Sequence, residues 1–271
     1  MTKALGYSLA LIIATLLVLM LTVPLEASLF NIYENKLISK LLAASTLRFL
    51  IIIGLVYFMI RKGFSQFNGL YPSFTITNLS LFFIAVAVIL VLSYSSYEIY
   101  LETQIHKLVL FGISQAFVGI LEELLFRGIV FPLFIIHYAG KKRPVFKALC
   151  LSSLLFGLVH LVGLIRHPEN IWGVTYTVIY AIGIGFLLAC LFLRTRNILV
   201  PAFIHFLIDF TNAAYDLKEE VVARSEPSQS TILLTLAVVI AIALFCFGAG
   251  MFLFKRVQPE EWLQKASLIK I

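Results

Sequence analysis

The sequence predicts an all-α, polytopic integral membrane protein, a bundle of about eight transmembrane helices. Its composition is the first reason, since 61% of the 271 residues are hydrophobic and only 13% are charged. Soluble domains carry about 25% charged residues, so a soluble chain of this composition lacks the polar groups to cover its surface. The second reason is that the apolar residues are grouped in runs long enough to cross a bilayer.

Each predicted span is a run of about 20 mostly apolar residues, the length that a helix needs to cross the hydrocarbon core. The eight runs are Ala4–Leu25, Leu41–Ile60, Thr77–Ser95, Leu108–Phe126 or longer, Val145–Ile165, Ile171–Leu193, Ile198–Tyr215 and Thr231–Phe254. The apolar stretch Ile129–Tyr138 is too short to span alone and contains Pro132, so we expect it to prolong the fourth helix with a kink. Because the runs fill most of the chain, residues 1–271 are predicted to form a single membrane domain.

The positive charges of the loops predict that both termini are cytoplasmic. In that orientation the inner segments contain 13 lysines and arginines, the outer segments contain 6, and Arg48 and Arg127 lie within spans. This bias follows the positive-inside rule, and we expect a multi-pass protein of the cell membrane. The net charge of +7 is thus explained by the loops. The expected partners are the lipid bilayer and a peptide or membrane-protein substrate, and no nucleic acid.

Once the loops are assigned, seven charged residues and histidines remain at membrane depth, where a charged side chain costs at least about 2.5–3.5 kcal/mol. They are Arg48, Glu122, Glu123, Arg127, His160, His205 and Asp209. Residues of this kind are usually functional and have partners inside the bundle. Arg48 is the weakest case, because it can snorkel or meet a carboxylate, and its expected role is structural.

Two pairs of these residues are spaced four apart and therefore share a helix face. Glu123 and Arg127 are expected to pair and to neutralise each other, either for catalysis or only to fix helix packing. Glu122 is rotated by about 100° from Glu123 and need not share this ion pair. An unpaired carboxylate in an apolar site suits general-base work near neutral pH. His205 and Asp209 form the second pair.

If these histidines and carboxylates converge in one cavity, their chemistry can be interpreted in two ways. They can activate a water molecule and stabilise an oxyanion, or they can bind zinc. The sequence contains no HExxH motif, and neither His160 nor His205 has another histidine four residues away. We therefore expect no cofactor, with zinc as the less favoured alternative.

Three motifs in this region resemble, in the same order, those of the CPBP family, the CAAX proteases and bacteriocin-processing enzymes that include the type II CAAX prenyl endopeptidases. The motifs are EExxxR from Glu122 to Arg127, FxxxH from Phe156 to His160, and HxxxN or HxxxD from His205 to Asp209. The resemblance covers about residues 108–215, the predicted catalytic core. Outside that segment only the hydropathy agrees.

This resemblance implies an eight-helix bundle that hydrolyses a peptide bond within the membrane, without a required metal. Carried over by position, the catalytic residues are Glu122, His160, His205 and Asp209, and the supporting residues are Glu123 and Arg127. The first two would activate the water, and the next two would stabilise the oxyanion. Prenyl endopeptidases have asparagine where this chain has Asp209, so Asp209 must be protonated or must mainly orient His205. The difference points to bacterial-type members, whose substrates vary.

Two other functions stay open at this stage. A non-enzymatic protein of the same fold would bind a partner membrane protein, for example in bacteriocin immunity or in the regulation of a sensor. A transporter with an ion relay at the bilayer midplane would also use intramembrane glutamate, histidine and aspartate. All the motif positions are present, which favours the enzyme, and the absence of an inverted repeat in the sequence disfavours the transporter.

Overall fold

The predicted all-α membrane bundle is confirmed by the structure, a computed structural model that describes residues 3–29, 35–67, 96–218 and 227–269. Within these ranges the chain is helical and forms no β-strand. Five helical stretches there are long and apolar enough to cross a membrane: Lys3–Met20, Lys36–Lys62, Pro144–Ile165, Ile171–Thr195 and Gln229–Phe254. The predicted third span, Thr77–Ser95, lies outside the described residues.

The helices follow the order of the predicted spans. They are α1 (Lys3–Leu29), α2 (Lys36–Lys62), α3 (Tyr97–Glu102), α4 (Ile105–Leu125), α5 (Phe131–Tyr138), α6 (Pro144–Leu158), α7 (Gly163–Arg166), α8 (Ile171–Thr195), α9 (Leu199–Asn212), α10 (Gln229–Phe254) and α11 (Pro259–Ala266). Shorter turns connect several of them. Turns of 3₁₀ helix are formed by Phe64–Gln66, Val159–Val162 and Ala214–Leu217.

Helix α8 lies at the centre of the bundle, packed against α6, α9 and α10. Its contact with α10 is close because Gly183 has no side chain: a Cβ there would lie 2.6 Å from the Cα of Ala243. Small residues allow such close approach between helices in a membrane. Helix α8 therefore provides a fixed backbone wall for the polar groups of the neighbouring helices.

The path of α4 continues to Tyr138, as the sequence predicts, through a π-helical turn at Phe126–Val130 that joins it to α5. Proline has no N–H, and its ring collides with the carbonyl four residues earlier. For Pro132 that residue is Gly128, which lies inside the π-helical turn. The turn thus absorbs the proline without ending the helix, and π-turns of this kind are frequent at functional sites.

Helices α4 and α9 approach each other closely, which brings two of the predicted motifs together. A Cβ at Gly119 would lie 2.8 Å from the carbonyl oxygen of Ala202 and 3.0 Å from the backbone nitrogen of Phe206. Only glycine allows backbones to approach at this distance. The contact places the end of α4 beside the middle of α9.

The C-terminal helix α11 closes one end of the bundle, and hydropathy alone did not predict it. Its Trp262 is buried, with ring centroids 5.6 Å from Phe67 and 5.2 Å from Phe192. Arg196, which precedes α9, forms an ion pair with Glu261 of this helix. The helix therefore ties the chain after α2 to the end of α8.

Candidate active site

A buried ion pair lies at the junction of α4 and the π-helical turn. Nη1 of Arg127 donates a hydrogen bond to Oε1 of Glu123 over 2.8 Å, and the two side chains are 1% and 0% exposed. Nη2 of the same guanidinium donates to the carbonyl oxygen of Gly185, also over 2.8 Å. The ion pair that the spacing predicts is thus present, and α8 holds its arginine in place.

The ring of Phe156, the phenylalanine of the FxxxH motif, lies over the guanidinium group of this arginine. The Cζ atom of Arg127 lies 4.4 Å from the centroid of the ring, a cation–π contact. Gly185 makes room for the ring, because a Cβ there would lie 2.8 Å from Cδ1 of Phe156 and 3.5 Å from Nη2 of Arg127. Gly185 therefore contributes both a hydrogen-bond acceptor and the space that the ring occupies.

We expect Gly185→Ala to destabilise the protein by about 1–3 kcal/mol, the usual cost of overpacking a core. The added methyl group would displace Phe156 from the arginine. Gly54→Ala is the matched control, since a Cβ at this α2 position meets no atom within 4 Å. Thermal unfolding in detergent measures both variants, and equal midpoints for Gly185→Ala and the wild type would contradict the packing argument.

His205 connects the ion pair to the rest of the site. Its Nδ1 atom lies 3.1 Å from Oε1 of Glu123, so one carboxylate oxygen accepts hydrogen bonds from both Arg127 and His205. Because a carboxylate accepts hydrogen bonds, we assign the hydrogen to Nδ1. The His205 side chain is only 6% exposed, and its ring orientation is therefore fixed from α4.

The other nitrogen of His205 faces two carboxylates. Its Nε2 atom lies 3.8 Å from Oε2 of Glu122 and 3.5 Å from Oδ2 of Asp209. Within the described ranges these two oxygens are buried and make no hydrogen bond. The side chains of Glu122 and Asp209 are 26% and 25% exposed, whereas Glu123 is fully buried. Glu122 and Asp209 therefore form the accessible side of the site.

His160 lies in the 3₁₀ turn that follows α6. Its Nδ1 atom is 2.9 Å from the carbonyl oxygen of Phe156. A carbonyl only accepts hydrogen bonds, so Nδ1 is the donor, and a neutral ring keeps a lone pair on Nε2. The Phe156 ring contacts both histidines, with centroids 5.5 Å from His160 and 5.6 Å from His205. That lone pair makes His160 a candidate base.

Three of the four predicted catalytic residues meet at one ring, because Nε2 of His205 lies 3.8 Å from Glu122 and 3.5 Å from Asp209. The fourth, His160, is linked to them through Phe156, whose ring contacts both histidines.

A cavity of about 310 Å³ reaches Glu122 from the side of α2. Its lining comes from α1, α2, α4 and the 3₁₀ turn at Ala214–Leu217, and its polar residues are Lys40, Arg48, Ser114, Gln115, Glu122 and Asp216. Arg48 donates from Nη1 to Oγ of Ser114 over 2.6 Å. The sequence assigned Arg48 a structural role, but the structure places it in the same cavity as Glu122.

A metal centre needs at least three close ligands. Among the residues that the structure describes, no three histidine, cysteine, aspartate or glutamate side chains are arranged to hold a metal ion. The expectation of a reaction without a cofactor stays a prediction.

Two features of the site could not be predicted from the sequence. The carbonyl of Gly185 gives no sequence signal, because any residue has one. Ser114, the hydrogen-bond partner of Arg48, lies in an apolar helix where serine is unremarkable. For Phe156 a signal did exist, since it occupies a motif position, although its contact with Arg127 could not be inferred from spacing.

The comparison with protein families supports the resemblance seen in the motifs. Residues 104–211 match the family model described as type II CAAX prenyl endopeptidase Rce1-like, a family of membrane-embedded proteases. This segment contains all three motifs and runs from the start of α4 to the last turn of α9, and it covers less than half of the chain. The predicted likeness to CAAX-type proteases is thereby confirmed for this segment. No curated protein and no solved structure matches the chain.

Proposed function

Starting from a multi-pass membrane protein whose residues 104–211 match a family of CAAX-type proteases, we propose that the chain is an intramembrane endopeptidase. One observation supports this most directly. His205 is held by Glu123 at one nitrogen, while the other nitrogen faces the two accessible carboxylates, Glu122 and Asp209. The substrate is a peptide bond of a membrane-associated protein or peptide.

Glu122 is the general base in this proposal. A water molecule beside Oε2 of Glu122 attacks the carbonyl carbon of the scissile peptide bond, and its proton passes to the carboxylate. A tetrahedral intermediate forms, with the negative charge on the former carbonyl oxygen. When the C–N bond breaks, Glu122 returns the proton to the leaving nitrogen, so it acts first as base and then as acid. His160 assists by accepting a hydrogen bond from the same water at Nε2.

His205 stabilises the oxyanion from Nε2. A histidine that donates from both nitrogens is an imidazolium, and its charge is balanced here by Glu123 at Nδ1 and by Asp209 at Nε2. In this arrangement Asp209 orients His205 and need not face the oxyanion itself. Preorganised donors of this kind are usually the largest contribution to acyl-transfer catalysis.

Glu123 and Arg127 are positioning residues in this scheme. Arg127 balances the charge of Glu123, and Glu123 in turn fixes the tautomer and the orientation of His205. Such a base–orienter relation recurs in enzymes that activate a nucleophile. The reaction takes place within the bilayer, and both termini are proposed to face the cytoplasm.

We propose that the hydrolysis needs no metal ion. In the proposed scheme His205 uses Nδ1 to hold Glu123 and Nε2 to donate to the oxyanion. A nitrogen that binds zinc cannot also donate a hydrogen bond, so a zinc ion bound to Nε2 would remove the oxyanion donor. Activity should therefore survive dialysis against a strong chelator.

The substrate and the activity can be tested together by terminal proteomics of membranes. Cells that produce the wild-type protein are compared with cells that produce Glu122→Gln, which keeps the shape of the side chain but removes the base. We expect at least one processed terminus that is present with the wild type and missing with Glu122→Gln. Glu102→Gln, at an exposed glutamate of α3, is the matched control and should leave that terminus unchanged.

Identical termini in all three samples would contradict the proposal. A cellular phenotype that survives the combined substitution of Glu122, His160 and His205 would favour the non-enzymatic alternative, a protein that binds a membrane partner as in bacteriocin immunity. In both cases the abundance of each variant in the membrane fraction must equal that of the wild type.

A further inference from the structure

The cavity beside Glu122 extends away from the three family motifs. Its walls are formed mainly by α2 and α4, and it ends at Glu122 on one side and near Lys40 and Asp216 on the other. Arg48 lies in this wall at the depth of Ser114. Since Ser114 precedes Glu122 by eight residues on a continuous helix, the two levels are about 12 Å apart.

Arg48 is fixed in the wall of the cavity, which is not where a snorkelling arginine would lie. Its guanidinium donates to the side chain of Ser114, at 2.6 Å, and to the backbone carbonyl of the same residue, at 3.5 Å. Both bonds tie α2 to α4, the helix that also provides Glu122. A snorkelling side chain would instead extend along its helix to the membrane surface.

The charges of the site explain why a second cation is needed. Arg127 is paired with Glu123, and both are buried away from the cavity. Glu122 and Asp209 repel each other and face the same imidazole. One histidine cannot balance two carboxylates, and uncompensated charge at membrane depth is costly. Asp209 lies near the depth of Arg48, because the next residue of α9, Phe210, packs against Phe111 and Gly112 of α4, just before Ser114.

We propose that Arg48 is a positioning residue of the reaction site: from α2, outside the motifs, it supplies the positive charge that balances Asp209 at the same depth, in the wall of the cavity that reaches Glu122. This inference rests on the proposed peptidase function. Among the described residues, five helical elements contribute charged or titratable groups around Asp209: α2 with Arg48, α4 with Glu122, the turn after α6 with His160, α8 with Tyr180, and α9 with His205.

The test is a double-mutant cycle on the purified, reconstituted protein, with a peptide that contains the cleavage site found by terminal proteomics. We expect Arg48→Gln to lower kcat roughly tenfold with little change in KM, a typical coupling between charged neighbours. Arg48→Lys keeps the charge and should recover most of the rate. In an Asp209→Asn background the effect of Arg48→Gln should shrink to about twofold or less, because the charge that Arg48 balances is gone.

Two further variants serve as a control and as a substitute for Arg48→Gln. Arg61→Gln, at an exposed arginine near the end of the same helix, is the matched control and should leave kcat and KM unchanged. If Arg48→Gln does not fold, Ser114→Ala replaces it, since it releases the guanidinium without removing the charge; a fall in kcat of about twofold to fivefold is then expected.

The outcomes separate this inference from the proposed function. If the wild-type protein does not cleave the peptide, the proposed function fails, and if Glu122→Gln remains fully active, Glu122 is not the base. If Glu122→Gln is inactive but Arg48→Gln has wild-type kcat and KM, only the inference on Arg48 is overturned. An equal loss for Arg48→Gln and Arg48→Lys, unchanged in the Asp209→Asn background, would show a purely structural arginine and would also overturn it.

Discussion

Arg127→Met is expected to lower the free energy of unfolding by about 3–5 kcal/mol, the largest loss of stability that we predict for a single substitution. The substitution leaves the fully buried carboxylate of Glu123 without its counter-charge. It also removes the hydrogen bond to Gly185 and the cation–π contact with Phe156. Unfolding in mixed micelles, followed by far-UV circular dichroism, measures the change.

A matched control and a compensating variant test whether the loss of stability comes from the buried ion pair. Glu261→Gln breaks partly exposed ion pairs with Arg196 and Lys265 and should cost no more than about 1 kcal/mol. The double variant Glu123→Gln with Arg127→Gln removes both buried charges and should recover part of the stability, but not the activity. If Arg127→Met is no less stable than Glu261→Gln, the buried pair does not have the importance proposed for it.

His205→Gln is expected to reduce kcat by about 10²–10³-fold, the usual loss when one oxyanion donor is removed. The imidazole is the only group seen to contact Glu122, Glu123 and Asp209 together in the described part of the chain. Glutamine can donate to Glu123 but cannot present a second, positively charged donor to the substrate. The rate is measured by cleavage of the substrate peptide in proteoliposomes.

His106→Gln, at an exposed position in the first turn of α4, is the control for this loss and should be fully active. Asp209→Asn should keep activity within about tenfold, since it orients His205 through a neutral oxygen and does not touch the reacting atoms. A His205→Gln protein that folds and cleaves at the wild-type rate would remove His205 from the mechanism.

The parts of the site that lie within one helix could be predicted from the sequence. Glu123 and Arg127 are four residues apart and pair over 2.8 Å, and His205 and Asp209 have the same spacing and lie 3.5 Å apart. Helical geometry alone requires these neighbours to meet. The continuation of α4 to Tyr138 also followed from the short apolar stretch and its proline.

Contacts between helices could not be derived in this way. His205 meets Glu123 across 82 residues of sequence, and this contact depends on the close approach of α4 and α9 at Gly119. The sequence grouped Glu122 with His160 and His205 with Asp209, whereas the structure links Glu122, Glu123 and Asp209 through His205. The periodicity of the sequence gives no information on such packing, because the packing is set by backbone distances between helices.

The position of Arg48 could not be predicted from the sequence for a similar reason. An arginine in a transmembrane run can snorkel, pair or line a cavity, and hydropathy does not distinguish these cases. Its partner Ser114 lies on another helix, 66 residues away. Only the packing of α2 against α4 places Arg48 in the cavity that reaches Glu122.

The central claim, hydrolysis by a water that Glu122 activates, is tested most directly with the purified protein in liposomes after dialysis against a strong chelator. The rate of substrate cleavage is measured for the wild type, Glu122→Gln and Glu102→Gln. The proposal predicts full activity of the chelated wild type and of Glu102→Gln, and a fall in kcat/KM of about 10²–10⁴-fold for Glu122→Gln. Undiminished cleavage by Glu122→Gln, or a wild-type activity that is lost on chelation and restored by zinc, would contradict it.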